Sequence, residues 1–187
     1  MMRFGIFVMW LLHFLPLAVL APIGEGLGVL RYRFGRERRR VARINLRLCF
    51  PQVPDREREK LVRRHFRAFG RSVLERSILW WSPKARIQRL VRIEGLEHWQ
   101  AVRDRPVIWL APHFVGLDMG GVRLTSEYPL VSMYSRQKNP LFNDLLLRSR
   151  TRFGTSHLVS RQEGIRPVVK QLKAGLPFYY LPDMDYG

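Results

Sequence analysis

The sequence predicts an α/β chain: a membrane-associated N-terminal helix and a helical region, then a mostly parallel sheet with flanking helices, incomplete at the C-terminus. Three observations carry this prediction. An uncharged apolar run lies between Phe4 and Gly24, one long amphipathic pattern covers residues 55–81, and beyond Pro106 short runs of β-formers alternate with helix-like stretches. The boundaries that follow are an anchor over 1–30, a basic helical region over 31–105 and a partial α/β core over 106–187.

The 187 residues, 47% of them hydrophobic, suffice for a sizeable core and exclude a disordered chain. Lys and Arg number 33 against 15 Asp and Glu, a net charge of +18. Such an excess calls for an anionic partner: nucleic acid, lipid headgroups, phosphorylated small molecules or an acidic protein. The single cysteine, Cys49, allows no intrachain disulfide and fits a reducing compartment.

The apolar run has about the length that crosses a hydrocarbon core, roughly 20 residues. A cleaved signal peptide is disfavoured because Pro22 directly follows the one suitable small residue, Ala21. A retained anchor and a buried helix remain, and length with charge pattern favours the anchor. Only Arg3 precedes the run, whereas Arg31, Arg33, Arg36, Arg38, Arg39, Arg40 and Arg43 follow it, which places the body on the cytoplasmic side. Those arginines would meet an anionic leaflet at about 1 kcal/mol each, or form a solvated basic linker. His13 and Pro16 interrupt the run, so a kinked or shallow insertion stands beside a spanning one.

Over residues 55–81 Asp55 is the expected N-cap, and Val62, Phe66, Phe69 and Val73 follow one helical face. Ser82 and Pro83 then suit the N-cap and first position of a helix through Val91. Trp80, Trp81 and Trp99 read as core. Strands are expected at 107–111, 130–134, 156–160 and 177–181, with helices starting near Gly116, Pro140 and Gly164. Strand–helix–strand repetition implies right-handed crossovers and a parallel sheet. Ligands of such sheets bind at the carboxyl ends of strands, so a chain stopping at LPDMDYG after its last strand reads as a fragment ending in its own functional rim.

His113 follows the first strand, and Asp118 stands five positions on in the first turn of the next helix. A carboxylate on one imidazole nitrogen would fix the tautomer and leave the other to take a proton, which makes a general base. The spacing alone is weak, and a polar histidine bonded to a neighbouring turn reads equally well. His13, His65, His98 and His157 are scattered unlike metal ligands, so no metal is expected. There is no phosphate-binding glycine loop and no nucleophile elbow.

Several blocks in order narrow the reading: RRRVARINLRLCFPQ, ILWWSP, RIEGLEHW, APHFVGLD, YSRQKNPLFNDLL, SRQEGIRPVVKQLKAG and LPDMDYG. Together they resemble the bacterial lipid A late acyltransferases, the lauroyl and myristoyl transferases of the lysophospholipid acyltransferase superfamily. The resemblance extends over nearly the whole chain, and it implies a glycerolipid acyltransferase-like fold. Members run on past the last block, in keeping with a fragment.

The resemblance implies O-acyl transfer from acyl carrier protein to a hydroxyl of a hydroxyacyl chain on a lipid A precursor, in lipopolysaccharide biosynthesis at the inner membrane. No cofactor is implied, since the acyl carrier protein thioester is a co-substrate. Carried onto this chain, His113 is the base, Asp118 orients it, and Arg150 stabilises an oxyanion or a phosphate. Asp183 matches a second acidic position and joins the substrate-binding set. Arg136, Asn139, Arg152 and Arg161 are candidates to bind sugar phosphates or fatty-acyl linkages, each also readable as ordinary surface. The expected partners are acyl carrier protein, a lipid A precursor and an anionic membrane, with no nucleic acid. Two alternatives stand: an acyltransferase acting on another glycolipid or on glycerophosphate, and a basic membrane-anchored nucleic-acid-binding protein, for which no motif is present.

Overall fold

The computed structural model describes residues 2–154 and 156–183, and the chain divides into two units, Met1–Ile78 and Leu79–Gly187. Residues 184–187 of the LPDMDYG block lie outside the described residues.

The first unit is helical: α1 Met2–Leu12, α2 Leu17–Phe34, α3 Arg36–Cys49 and α4 Asp55–Trp81, which runs past the unit boundary. The apolar run is interrupted where His13 and Pro16 stand, so it does not form one continuous helix. α1 stops at Leu12, and Pro16, extended at φ −57° and ψ 148°, precedes α2. A proline has no N–H to continue the ladder and its ring crowds the preceding turn. No helix among the described residues is long and apolar enough to cross a membrane.

α4 buries Val62, Phe66, Gly70, Leu74 and Ile78, a line of near i, i+4 steps. Phe69, expected on that face, is 40% exposed. The line passes through Gly70 because α2 crosses there. A Cβ on Gly24 would lie 2.6 Å from Arg71 Cα, one on Gly70 would lie 2.7 Å from Gly28 Cα, and one on Gly28 would fall on the Phe66 carbonyl. Only glycine lets two helix backbones approach this closely.

The first turn of α4 differs from expectation. The Pro54 carbonyl accepts the Glu57 and Arg58 N–H groups, so Asp55 lies inside the helix and pairs with Arg58. Near that end α2, α3 and α4 are tied at Glu59, which accepts the Tyr32 hydroxyl and both Arg43 donors, at 2.8 and 2.9 Å. The Arg43 hydrogen bonds, with Tyr32 assisting, hold the Glu59 carboxyl down from its ordinary 4.5 to about 2.

The second unit contains α5 Lys84–Leu90, α6 Leu96–Gln100, β1 Ile108–Leu110, α7 Leu117–Thr125, β2 Val131–Tyr134, α8 Pro140–Thr151, β3 His157–Ser160, a 3-10 turn Arg161–Glu163, α9 Arg166–Lys173 and β4 Phe178–Tyr180. Pro83, not Ser82, is the cap of α5, its carbonyl taking the Arg86 N–H at 3.0 Å.

All four strands are parallel, in the order β1-β4-β2-β3. The expected mostly parallel α/β sheet is therefore present. Val131 pairs in register with Phe178, and Met133 with Val159. Because side chains alternate along a strand, these four share one face. There they meet Val168 and Leu172 of α9. Trp109, Tyr179 and Ser132, in register with one another, take the opposite face. Since every strand runs the same way, the residues just past all four carboxyl ends lie along one edge.

Candidate active site

β1 and β4 are neighbours, and their pairing continues one step past β1, where the Ala111 N–H reaches the Tyr180 carbonyl at 2.8 Å. His113 follows two residues later, and Asp183 stands three residues past β4. The parallel register brings the two together. The His113 backbone N–H donates to Asp183 Oδ2 at 2.6 Å, and Nδ1 lies 2.8 Å from Oδ1.

The second contact fixes the imidazole chemistry. A carboxylate facing Nδ1 favours the tautomer with its proton there, which leaves Nε2 as the basic nitrogen. The two His113 hydrogen bonds hold the Asp183 carboxyl below its ordinary value. The side chains are 33% and 38% exposed, open enough for another molecule to reach the ring.

The histidine–acid spacing in the sequence directed attention to Asp118 as the orienting carboxylate. In the structure the carboxylate on Nδ1 is Asp183, and Asp118, in the first turn of α7, takes Arg150 Nη2 at 3.4 Å. Arg150 comes from the last turn of α8. Burial, with Asp118 nearby, pushes the Tyr179 phenol up from its ordinary value.

Arg136, just after β2, and Arg161, just after β3, lie at the same carboxyl edge and are exposed. Asn139 has a local task. Its Oδ1 accepts the Phe142 N–H at 3.0 Å and caps α8. Arg152 is half-buried and donates to the Leu79 and Ser82 carbonyls, at 2.9 and 2.8 Å, closing the free end of α4. Its guanidinium also lies 4.4 Å from the Phe153 ring centre, and burial lowers its pKa. These contacts give Arg152 a structural use that the sequence did not signal.

Beside His113 a cleft of about 490 Å³ opens between α7, β1 and the segment around Trp99. Pro112 and Phe114, which flank the histidine, are among its lining residues. Its walls are apolar: Leu96, Trp99, Trp109, Leu117, Leu124 and Tyr179. Trp99 packs edge-on to Trp109 at 4.8 Å, so a residue expected in the core stands in the wall of a cleft. Among the described residues no group of three or more His, Cys, Asp or Glu is placed to hold a metal ion. What the site offers is a proton acceptor beside a largely apolar cleft, with a guanidinium and two exposed arginines on the same unit.

The family model for bacterial lipid A biosynthesis acyltransferases matches residues 1–187. The chain belongs to this family. It is similar to the lipid A biosynthesis lauroyltransferase of Escherichia coli (strain K12), 34% identical over 185 residues that make up 98% of this chain and 60% of the relative. The palmitoleoyltransferase of the same organism is 32% identical over 186 residues, again 98% of this chain and 60% of the relative. The myristoyltransferase is 34% identical over 169 residues, 89% of this chain and 52% of the relative. The chain thus spans about 60% of the length of the first two curated relatives.

For this family member, sequence reasoning singled out His113, Asp118, Arg150 and Asp183 but not who meets whom. It missed Trp109 and Tyr179 as cleft walls. The signal was available in the alternation of β1 and β4, which puts both rings on the face opposite Phe178.

Proposed function

We propose that the full-length protein transfers a fatty acyl group from acyl carrier protein to a hydroxyl of a hydroxyacyl chain on a lipid A precursor. His113 Nε2 takes the hydroxyl proton as the oxygen attacks the thioester carbonyl. The tetrahedral intermediate collapses, the carbon–sulfur bond breaks, and the imidazolium returns its proton to the departing carrier thiolate. Asp183 steadies the ring and its positive charge, and Arg150, anchored by Asp118, supplies N–H donors for the oxyanion. No acyl-enzyme and no cofactor are needed.

The observation that carries this reading is the two-point contact between His113 and Asp183 beside an apolar cleft lined by the residues flanking the histidine. Family membership supports the substrate class. Both substrates are anionic, in keeping with a net charge of +18. The reading places the protein at the cytoplasmic face of the inner membrane through surface contact. Phe4, Phe7, Phe14 and Phe34 are 72%, 52%, 62% and 73% exposed, and the arginines of α3 follow directly.

The test is an acceptor assay with purified full-length protein and acyl carrier protein thioesters. Acylation of a lipid A precursor is expected. Acylation of glycerol phosphate with the precursor left untouched would overturn the acceptor assignment, and binding to nucleic acid with no transfer at all would overturn the enzyme.

A further inference from the structure

Two glycines of the α7 region, Gly116 and Gly120, line the cleft one helical turn apart. A Cβ built on either meets no atom within 4 Å, whereas one on the next residue, Gly121, would touch the Tyr179 ring at 4.0 Å. Both positions border the cleft, and Gly120, half-buried in its wall, has open space where a side chain would stand.

Neither position requires glycine for the backbone. Gly116 has φ −87°, and Gly120, inside α7, is not among the glycines with positive φ. No second backbone approaches them, in contrast to Gly24, Gly28 and Gly70. Glycine weakens a helix interior relative to alanine, so its presence at 120 has a local cost and no local cause. What it preserves is open space beside the reactive histidine.

We propose that Gly120 sets how deeply a fatty acyl chain enters this cleft, and with it the acyl chain length the enzyme accepts. The assignment rests on the acyl-transfer reading above. With the thioester at His113, the tail runs from there along the α7 wall of the cleft. It passes Gly116, then Gly120 about 6 Å further along the axis, and then Leu124 one turn beyond. Trp99 and Trp109 form the wall across from the helix. A side chain at 120 would block the slot part-way, and a smaller one at 124 would lengthen it.

The experiment compares the full-length protein with its Gly120→Ala, Gly120→Leu and Leu124→Ala variants. kcat/KM is measured for acyl carrier protein thioesters of stepwise chain length, and calorimetry follows binding of the matching free fatty acids. Gly120→Leu should raise the preference for shorter over longer donors at least tenfold, since one methylene of misfit in an apolar pocket is worth about 10–200-fold. Gly120→Ala, which favours the helix and keeps the test alive if the leucine variant fails to fold, should move the optimum the same way by less. Leu124→Ala should move it toward longer chains. An active parent whose length profile is unchanged in both Gly120 variants would overturn the depth assignment alone. A parent that transfers no acyl group but binds fatty acids with a length limit shifted by Gly120→Leu would remove the acyl-transfer reading and leave the cleft's measuring role standing. A parent that does neither would overturn both.

Discussion

His113 and Asp183, 70 residues apart in the chain, meet at two points: backbone N–H to Oδ2 and Nδ1 to Oδ1. The meeting follows from strand order. β4 inserts beside β1, and parallel pairing carries both chains off the same edge of the sheet. The two side chains thus come from opposite ends of the α/β unit.

Asp183→Asn should lower kcat by about ten- to a hundredfold, less than the ~10⁴ seen for a fully buried carboxylate, because this pair is partly open to water. Steady-state kinetics of both proteins check this, and an unchanged kcat would deny Asp183 the orienting role.

Arg150→Ala should reduce kcat by about 10²–10³-fold with a smaller change in KM, as loss of an oxyanion donor does. Steady-state kinetics separate the two parameters. A large rise in KM at constant kcat would instead make Arg150 a substrate-binding residue.

In the helical unit, Gly28→Ala and Gly70→Ala should destabilise by about 1–3 kcal/mol or more, because each new Cβ meets the backbone of the crossing helix. Gly26→Ala, on the same helix with nothing within 4 Å, should be neutral or stabilise by about 0.5–1 kcal/mol. Thermal unfolding of the three variants provides the comparison.

Glu59 predicts a pH dependence of stability. Its folded value of about 2 lies below its ordinary 4.5, so its contribution is complete above 4.5 and is lost as pH falls toward 2. For a pair open to solvent on the Arg43 side, about 1 kcal/mol is at stake. Glu59→Gln should flatten this part of the stability–pH curve measured by denaturant unfolding.

The sheet was legible from local composition. The runs at 107–111, 130–134, 156–160 and 177–181 contain the strands Ile108–Leu110, Val131–Tyr134, His157–Ser160 and Phe178–Tyr180, displaced by no more than a residue at each end. Apolar β-formers bounded by turn residues carry that information within a few positions. Strand order is set by packing across the whole unit, and so the contact between His113 and Asp183 could not be read from spacing. Phe69 illustrates the same limit. Helical periodicity placed it on the buried face, but the buried line runs through Gly70, where α2 crosses, and Phe69 is 40% exposed. The interruption of the apolar N-terminal run was legible, because a residue without an N–H, Pro16, stands inside it, and α1 and α2 lie on either side.

The most direct test of the central claim is the turnover of His113→Ala in the full-length protein, with acyl carrier protein thioester as donor and a lipid A precursor as acceptor. A loss of about 10²–10⁴ in kcat with acceptor binding retained is expected of a missing general base. Turnover equal to that of the parent protein would contradict the account.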